Sequence, residues 1–170
     1  WSAAARGLPS YMSTVEIFIV EVCPPHVESA STSRVNLYTV TNSTIAVVGG
    51  TGPQGKGLAY RFAKAGHSVI IGSRSADRAI PVAQEIVDRG VAGRVTGADN
   101  NTACAEADIV LLAIPYDGHD DFVGTLAAEL ADKIVISCVN PLGFDKRGPY
   151  GLDVERSAAE AAAAIVPTAK

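Results

Sequence analysis

The sequence predicts an α/β domain built on an open, doubly wound parallel sheet. Three observations point there. From Thr44 onward, short apolar runs alternate with stretches of helical period. The apolar runs are continuous, as strands buried on both faces require. The first of them passes directly into a glycine cluster that opens a helix, with four glycines at positions 49, 50, 52 and 55. A chain of 170 residues, 48% of them apolar, has enough material for one domain and an appendage.

The elements follow in chain order. Residues 1–43 form an N-terminal extension of unknown role, rich in Ser, Thr, Val and Pro; "YMSTVEIFIVEV" and "SRVNLYTVT" read as strands. "TIAVVG" is the first buried strand. "GKGLAYRFAKAG" is a helix with Leu58, Phe62 and Ala63 on its apolar face and Gly66 as its stop. "HSVIIG" is the second strand. "ADRAIPVAQEIVDRG" is the second helix, with Ser75 as N-cap, Pro81 near its first turns and Gly90 beyond its end. "GRVTGA" gives a weak third strand and "NNTACAEA" a short helix. "DIVLLAIP" is the strongest strand, and "DGHDDFVGTLAAELAD" is a helix capped by Asp117. "KIVISCVNP" is strand five. "SAAEAAAAIV" carries a capping box from Ser157 to Glu160.

The bulk properties exclude several classes. A net charge of −4 argues against a nucleic-acid groove, which needs a basic field. No apolar run approaches the ~18 residues of a membrane span. "VEIFIVEV" is short, carries two glutamates and lacks a signal-peptide cleavage pattern. Cys23, Cys104 and Cys138 have neither metal-ligand nor redox spacing, so reduced thiols in a cytoplasmic protein are expected. Asp117, His119, Asp120 and Asp121 serve a helix start better than a metal.

The chemistry concentrates at the glycines. Gly50-Thr51-Gly52-Pro53-Gln54-Gly55 fits G-x-G-x-x-G between a strand and a helix, the context that makes it a Rossmann-type dinucleotide fingerprint. In that reading the first glycine permits the turn, the second admits a pyrophosphate and the third lets helix and strand pack. An NAD site then places an acid at the end of strand two, to bind the adenosine ribose. Here the sequence is Gly72-Ser73-Arg74, and no carboxylate comes before Asp77. A hydroxyl and a guanidinium suit a 2′-phosphate, so NADP(H) is the expected cofactor, with Arg78 as a second cation. Ile114 and Pro115, at the end of strand four, are expected to flank the nicotinamide half. Asn140, after strand five, offers donors and acceptors to the ring amide. His67, between helix and strand, reads as structural.

With these motifs the sequence resembles the NADPH-dependent reductases of coenzyme F420, also called F420H2:NADP oxidoreductases. "IAVVGGTGPQGKGLAYRFAKAGHSVIIGSRSADRA", "IVLLAIPY", "IVISCVNPLGFDKRGPYG" and "ERSAAEAAAAIVP" carry the resemblance, from about residue 44 to the end. It implies reversible hydride transfer between NADP(H) and the deazaflavin coenzyme F420. Gly50, Thr51, Gly52, Gln54 and Gly55 would hold the pyrophosphate, and Ser73 and Arg74 the 2′-phosphate. Arg78 stands where the family often has another basic residue, and Ile114-Pro115 borders the nicotinamide. No catalytic acid or base is implied, because the coenzymes carry the electronics. The resemblance also implies a further C-terminal part that builds much of the deazaflavin pocket. Residues 44–170 are therefore expected to be an NADP-binding domain truncated before its substrate part. The expected partners are small-molecule substrates, with no nucleic acid and no membrane; a homo-oligomer is left open. Two other readings stay open: a non-catalytic NADP-binding regulator of NmrA-like type, and another NADP-dependent reductase acting on an imine or β-hydroxy acid.

Overall fold

The computed structural model describes residues 43–170. The two strands read within residues 1–43 lie outside the described residues, as does Cys23. The described chain runs β1 (Thr44–Val48), α1 (Pro53–Lys64), β2 (Ser68–Ser73), α2 (Ala76–Val87), β3 (Val95–Asp99), α3 (Asn100–Glu106) and β4 (Ile109–Leu112). It continues through α4 (His119–Thr125), α5 (Ala127–Leu130), β5 (Ile134–Ser137), β6 (Leu142–Asp145), β7 (Gly148–Gly151) and α6 (Ala158–Ile165).

β1 to β5 form one parallel sheet in the order β3-β2-β1-β4-β5. The doubly wound sheet expected from the sequence is therefore present. After β3 the chain crosses to the other side of β1, so the winding reverses between β1 and β4. In such sheets a crevice opens above the carboxyl ends at that point.

Alternate residues of β1, β2 and β4 enter different cores, which explains their unbroken apolar runs; in the edge strand β5, Ile134 and Ile136 stay exposed. Ile45, Val47, Val69, Ile71 and Leu111 pack against Ala59, Ala63, Ala79, Ala83 and Ile86 of α1 and α2. Ala46, Val48, Ile70, Val110 and Leu112 pack against Ala103, Cys104, Val123, Leu126, Leu130 and Ala162 on the opposite face. Burying each larger side chain contributes about 1.5–3 kcal/mol.

The helix–sheet distances depend on small residues. The buried line of α1 is Gly55, Ala59 and Ala63, at i, i+4 spacing. Leu58 and Phe62, expected on the apolar face, flank this line half-buried. A Cβ on Gly55 would lie 2.7 Å from Gly49 O and 2.8 Å from Gly50 Cα. Gly97 does the same for β3, where a Cβ would come within 2.5 Å of Ala79 C and Ile80 N of α2.

Several boundaries differ from the sequence reading, each for a local reason. α1 begins at Pro53, not Gly55, because proline suits the first helical position. Asp117 does not cap α4: the N-cap is Gly118, at φ 71°, and Asp117 lies outside the helix. The single helix read through residue 132 breaks at Leu126 into α4 and α5. There the Thr125 hydroxyl donates to Phe122 O at 2.7 Å and competes with the helical bonds. Ser75 occupies the N-cap of α2 without a side-chain bond. The Ser157–Glu160 capping box forms in full. The antiparallel hairpin β6–β7 was not expected; Asp145 Oδ1 accepts from Arg147 N at 2.7 Å in its turn, and Gly148 has φ 116°. Beyond α6, Lys170 N donates to Lys133 O at 2.8 Å and Val135 N to Lys170 O at 2.9 Å. These two bonds bracket Ile134 as a parallel strand neighbour would.

Among the described residues no helix is long and apolar enough to cross a membrane. Cys104 is buried, and that burial pushes its thiol pKa up to about 12; nearby Glu129 adds to the shift and Lys133 opposes it. Cys138 is raised by burial too, but it is only half-buried.

Two outcomes follow. Gly55→Ala should lower the urea-unfolding free energy by about 1–3 kcal/mol, because the clash is with backbone that cannot rotate away; an unchanged midpoint would contradict the packing described. In the folded protein at pH 8, Cys104 should resist iodoacetamide and become labelled only after denaturation, as read by peptide mass spectrometry.

Candidate dinucleotide site

The turn between β1 and α1 sets the geometry of the site. Gly49 has φ 73°, and a Cβ there would sit 2.5 Å from Ala113 O. The left-handed turn is therefore made by Gly49, one residue before the glycine to which the fingerprint assigns it. Gly50 donates its N–H to Val47 O and to Gly72 O, both at 3.0 Å, which ties the loop to the end of β2. Gly52 differs from its neighbours. Its backbone is extended (φ −76°, ψ 164°), and a Cβ would meet only Gly49 O, at an ordinary 3.5 Å. The fold demands glycine at 49, 50 and 55, but it does not demand one at 52.

The amino end of α1 is left electrostatically positive. Its N-cap is Gly52, without a side-chain cap, and its first turn holds no acid. The first-turn amides of Gln54 and Gly55 have no carbonyl four residues back within the helix. Lys56, which follows them, is held by Glu85 at 2.7 Å, and Glu85 also takes Arg89 at 2.7 Å. The Lys56 hydrogen bond leads the effects that hold the Glu85 carboxyl below its ordinary range. At the other end of α1, Arg61 and Lys64 complement the dipole.

Ser73, the last residue of β2, is 5% exposed. Arg74 and Arg78 follow, both exposed, and neither forms an ion pair with any described residue. α2 starts between them, also without a side-chain cap. By contrast α3 is capped by Asp99, whose Oδ1 accepts from Thr102 N at 3.0 Å and whose Oδ2 accepts from the Thr102 hydroxyl at 2.7 Å. Those bonds hold the Asp99 carboxyl below its usual range.

A cavity of about 480 Å³ lies over the ends of β1, β2 and β4, within the usual size of small-ligand sites. The structure brings Thr51, Ser73, Arg74, Arg78, Ile114 and Pro115 together on its wall. Gly50, Gly52, Pro53, Gln54 and Gly55 form the loop and helix start beside it. Asn140 is not on this wall. It is exposed in the segment between β5 and β6, with Nδ2 3.5 Å from Cys138 O. Sequence reasoning missed Gly49, Asn100, Asp117, Gly118 and Phe122, all of which line the cavity.

His119 follows Gly118 but is 2% exposed. Its Nδ1 is 2.7 Å from Asp120 Oδ1, its ring stacks on Tyr116 at 6.3 Å, and its Nε2 has no partner among the described residues. The described residues contain no group of three or more His, Cys, Asp or Glu side chains able to hold a metal ion. His67 packs edge-on against Phe62, which agrees with a structural role.

A family model described as NADP oxidoreductase, coenzyme F420-dependent, matches residues 44–141. The chain is 43% identical over 102 residues to an F420-dependent NADP reductase of Methanothermobacter thermautotrophicus, covering 58% of this chain and 43% of that protein. It is likewise 43% identical over 102 residues to one of Methanocaldococcus jannaschii, covering 58% and 45%. The chain thus spans less than half the length of these curated relatives. A crystal structure from Arthrobacter sp. FB24, described as an F420-dependent NADP-reductase, superposes with a TM-score of 0.61 at 27% identity, over 75% of this chain and 59% of that one. An L-lactate dehydrogenase from Enterococcus mundtii superposes with a TM-score of 0.55 at 16% identity, over 75% and 43%, and so shares the fold. The family match stops at Pro141, so β6, β7 and α6 lie beyond it. Within it fall the whole five-stranded sheet, the glycine turn and every residue of the cavity wall, and the chain belongs to the coenzyme F420-dependent NADP oxidoreductase family.

Proposed function

We propose that this domain binds NADP(H) and presents it for hydride exchange with the deazaflavin coenzyme F420. One observation carries the reading. The cavity beside the uncapped start of α1 is lined by Ser73, Arg74 and Arg78, with no acid at the end of β2 and no ion pair to either arginine among the described residues. An acid at that position would accept from ribose hydroxyls and repel a phosphate. Two cations and a hydroxyl do the reverse.

Within this reading each residue has a distinct task. The Gln54 and Gly55 amides at the positive end of α1 receive the pyrophosphate. Gly52 gives it room. Ser73 and Arg74 hold the 2′-phosphate, and Arg78, in the first turn of α2, adds charge. Ile114 and Pro115 form an apolar wall that keeps water from the nicotinamide half. Asn140 serves the ring amide from outside the cavity wall. When bound, NADPH supplies a hydride from its nicotinamide ring, and the chain's part is orientation and a dry surface. No side chain is assigned proton transfer. The names of the curated relatives support coenzyme F420 as the second substrate. Both coenzymes are water-soluble, which supports a cytoplasmic location.

Arg74→Ala should weaken NADPH binding by about ten- to a hundredfold, the worth of a charged hydrogen bond, and leave NADH within about threefold. Titration of both nucleotides by calorimetry checks this, and equal losses would count against the 2′-phosphate assignment. Gly52→Ser should keep or slightly raise the melting temperature, because serine is a good N-cap. It should nonetheless weaken NADPH by about tenfold or more by crowding the pyrophosphate. Hydride transfer itself is tested by mixing the chain with NADPH and oxidised F420 and following loss of the deazaflavin absorbance. Binding without any transfer would favour a nucleotide-binding role alone.

A further inference from the structure

One charged group on the cavity wall has no task in the reading above. Asp117 lines the cavity and is exposed. It forms no ion pair among the described residues, although Arg74 and Arg78 line the same cavity. Nor does α4 use it: the N-cap is Gly118, and the first-turn acids are Asp120 and Asp121. Gly118 lies in the left-handed region at φ 71°, a turn that glycine makes at least cost. A carboxylate on the wall of a phosphate site repels the ligand, unless some part of that ligand carries the opposite charge.

The place of Asp117 says which part that is. Arg74 and Arg78 flank the start of α2, whose Ala79 and Ala83 belong to one core. Asp117 precedes α4, whose Val123 belongs to the opposite core. The cations and the carboxylate therefore reach the cavity from elements on different faces of the sheet. Asp117 also stands two residues beyond Pro115, which borders the nicotinamide half in the reading above. At neutral pH the oxidised nicotinamide ring is the one cationic part of the dinucleotide, and hydride addition removes its charge. An unpaired carboxylate beside that ring meets a partner in the oxidised form and none in the reduced form.

We propose that Asp117 is a specificity-determining residue that favours the oxidised over the reduced dinucleotide by facing the charged nicotinamide ring. This rests on the NADP site proposed above, with Pro115 at the nicotinamide half. By linkage, whatever factor Asp117 adds to NADP+ binding also favours hydride loss from bound NADPH. The test measures, by calorimetry on the full chain, the dissociation constants of NADP+, NADPH and adenosine 2′,5′-bisphosphate, which has no nicotinamide. Asp117→Asn should raise the ratio of the NADP+ to the NADPH constant by about three- to fivefold, the worth of an exposed charge pair. NADPH and the bisphosphate should change alike, within about twofold, because neither carries the ring charge. Asp117→Glu, which keeps the carboxylate, should keep the ratio; a shift equal to that of the asparagine variant would assign the effect to packing and overturn the proposal. An unchanged ratio in the asparagine variant, or one common change for all three ligands, would overturn it while leaving the NADP site intact. Failure of the unmodified chain to bind NADPH at all would overturn both.

Discussion

The first turn of α1 meets the β1 turn backbone to backbone, with no side chain between them. Gly55 faces the Gly49 carbonyl and the Gly50 Cα at distances that exclude a Cβ, and Gly49 is in turn wedged against Ala113 at the end of β4. This contact fixes where the amino end of α1 points. A bulkier residue at 55 would lift the helix away from the strand ends. The amides of the first turn and the walls contributed by β2 and β4 would then no longer face one space. The cavity is a by-product of that close approach.

Charge acts on top of shape. The two helices that start beside the crevice on the α1–α2 side lack side-chain caps, and α1 also lacks a first-turn acid. α3 and α6 are capped by Asp99 and Ser157. Caps stabilise helices, so leaving them out at these two ends costs the free protein something. The cations nearest these ends divide into two groups. Lys56 is tied to Glu85, whereas Arg74 and Arg78 remain without acidic partners among the described residues. The chain thus keeps two guanidinium groups out of ion pairs at one side of the crevice although its net charge is −4, with Asp117 on the same cavity wall and Asp77 between the two arginines in sequence.

What the sequence disclosed follows from locality. The strands were readable because burial on both faces leaves a continuous apolar run, as in Ile109–Leu112. Ser73 and Arg74 were readable because the fingerprint fixes their place relative to the glycines. Asn100 was not, because it reaches the cavity only through β3 pairing with β2, a contact between segments far apart in sequence. The sequence pattern places Asp117 and Gly118 at the beginning of a helix. A left-handed glycine one residue later moved the true start and turned Asp117 toward the crevice. The apolar run through Val139 places Asn140 at the end of β5, but β5 stops at Ser137 and the chain turns toward a hairpin. The positive φ of Gly49 also escaped the motif, since the pattern records spacing and not dihedral angles.

The bracket formed by Lys133, Val135 and Lys170 has a directional consequence. The stretch from β5 through α6 to Lys170 has the connectivity of a strand–helix–strand crossover. The last residue enters alongside β5 heading the same way. Lys170 thereby satisfies the Val135 amide and the Lys133 carbonyl on the outer edge of β5, which side chains alone would leave to solvent. Past that contact β5 has no outer strand neighbour among the described residues, so Ile136, 44% exposed, lies on an open edge of the sheet.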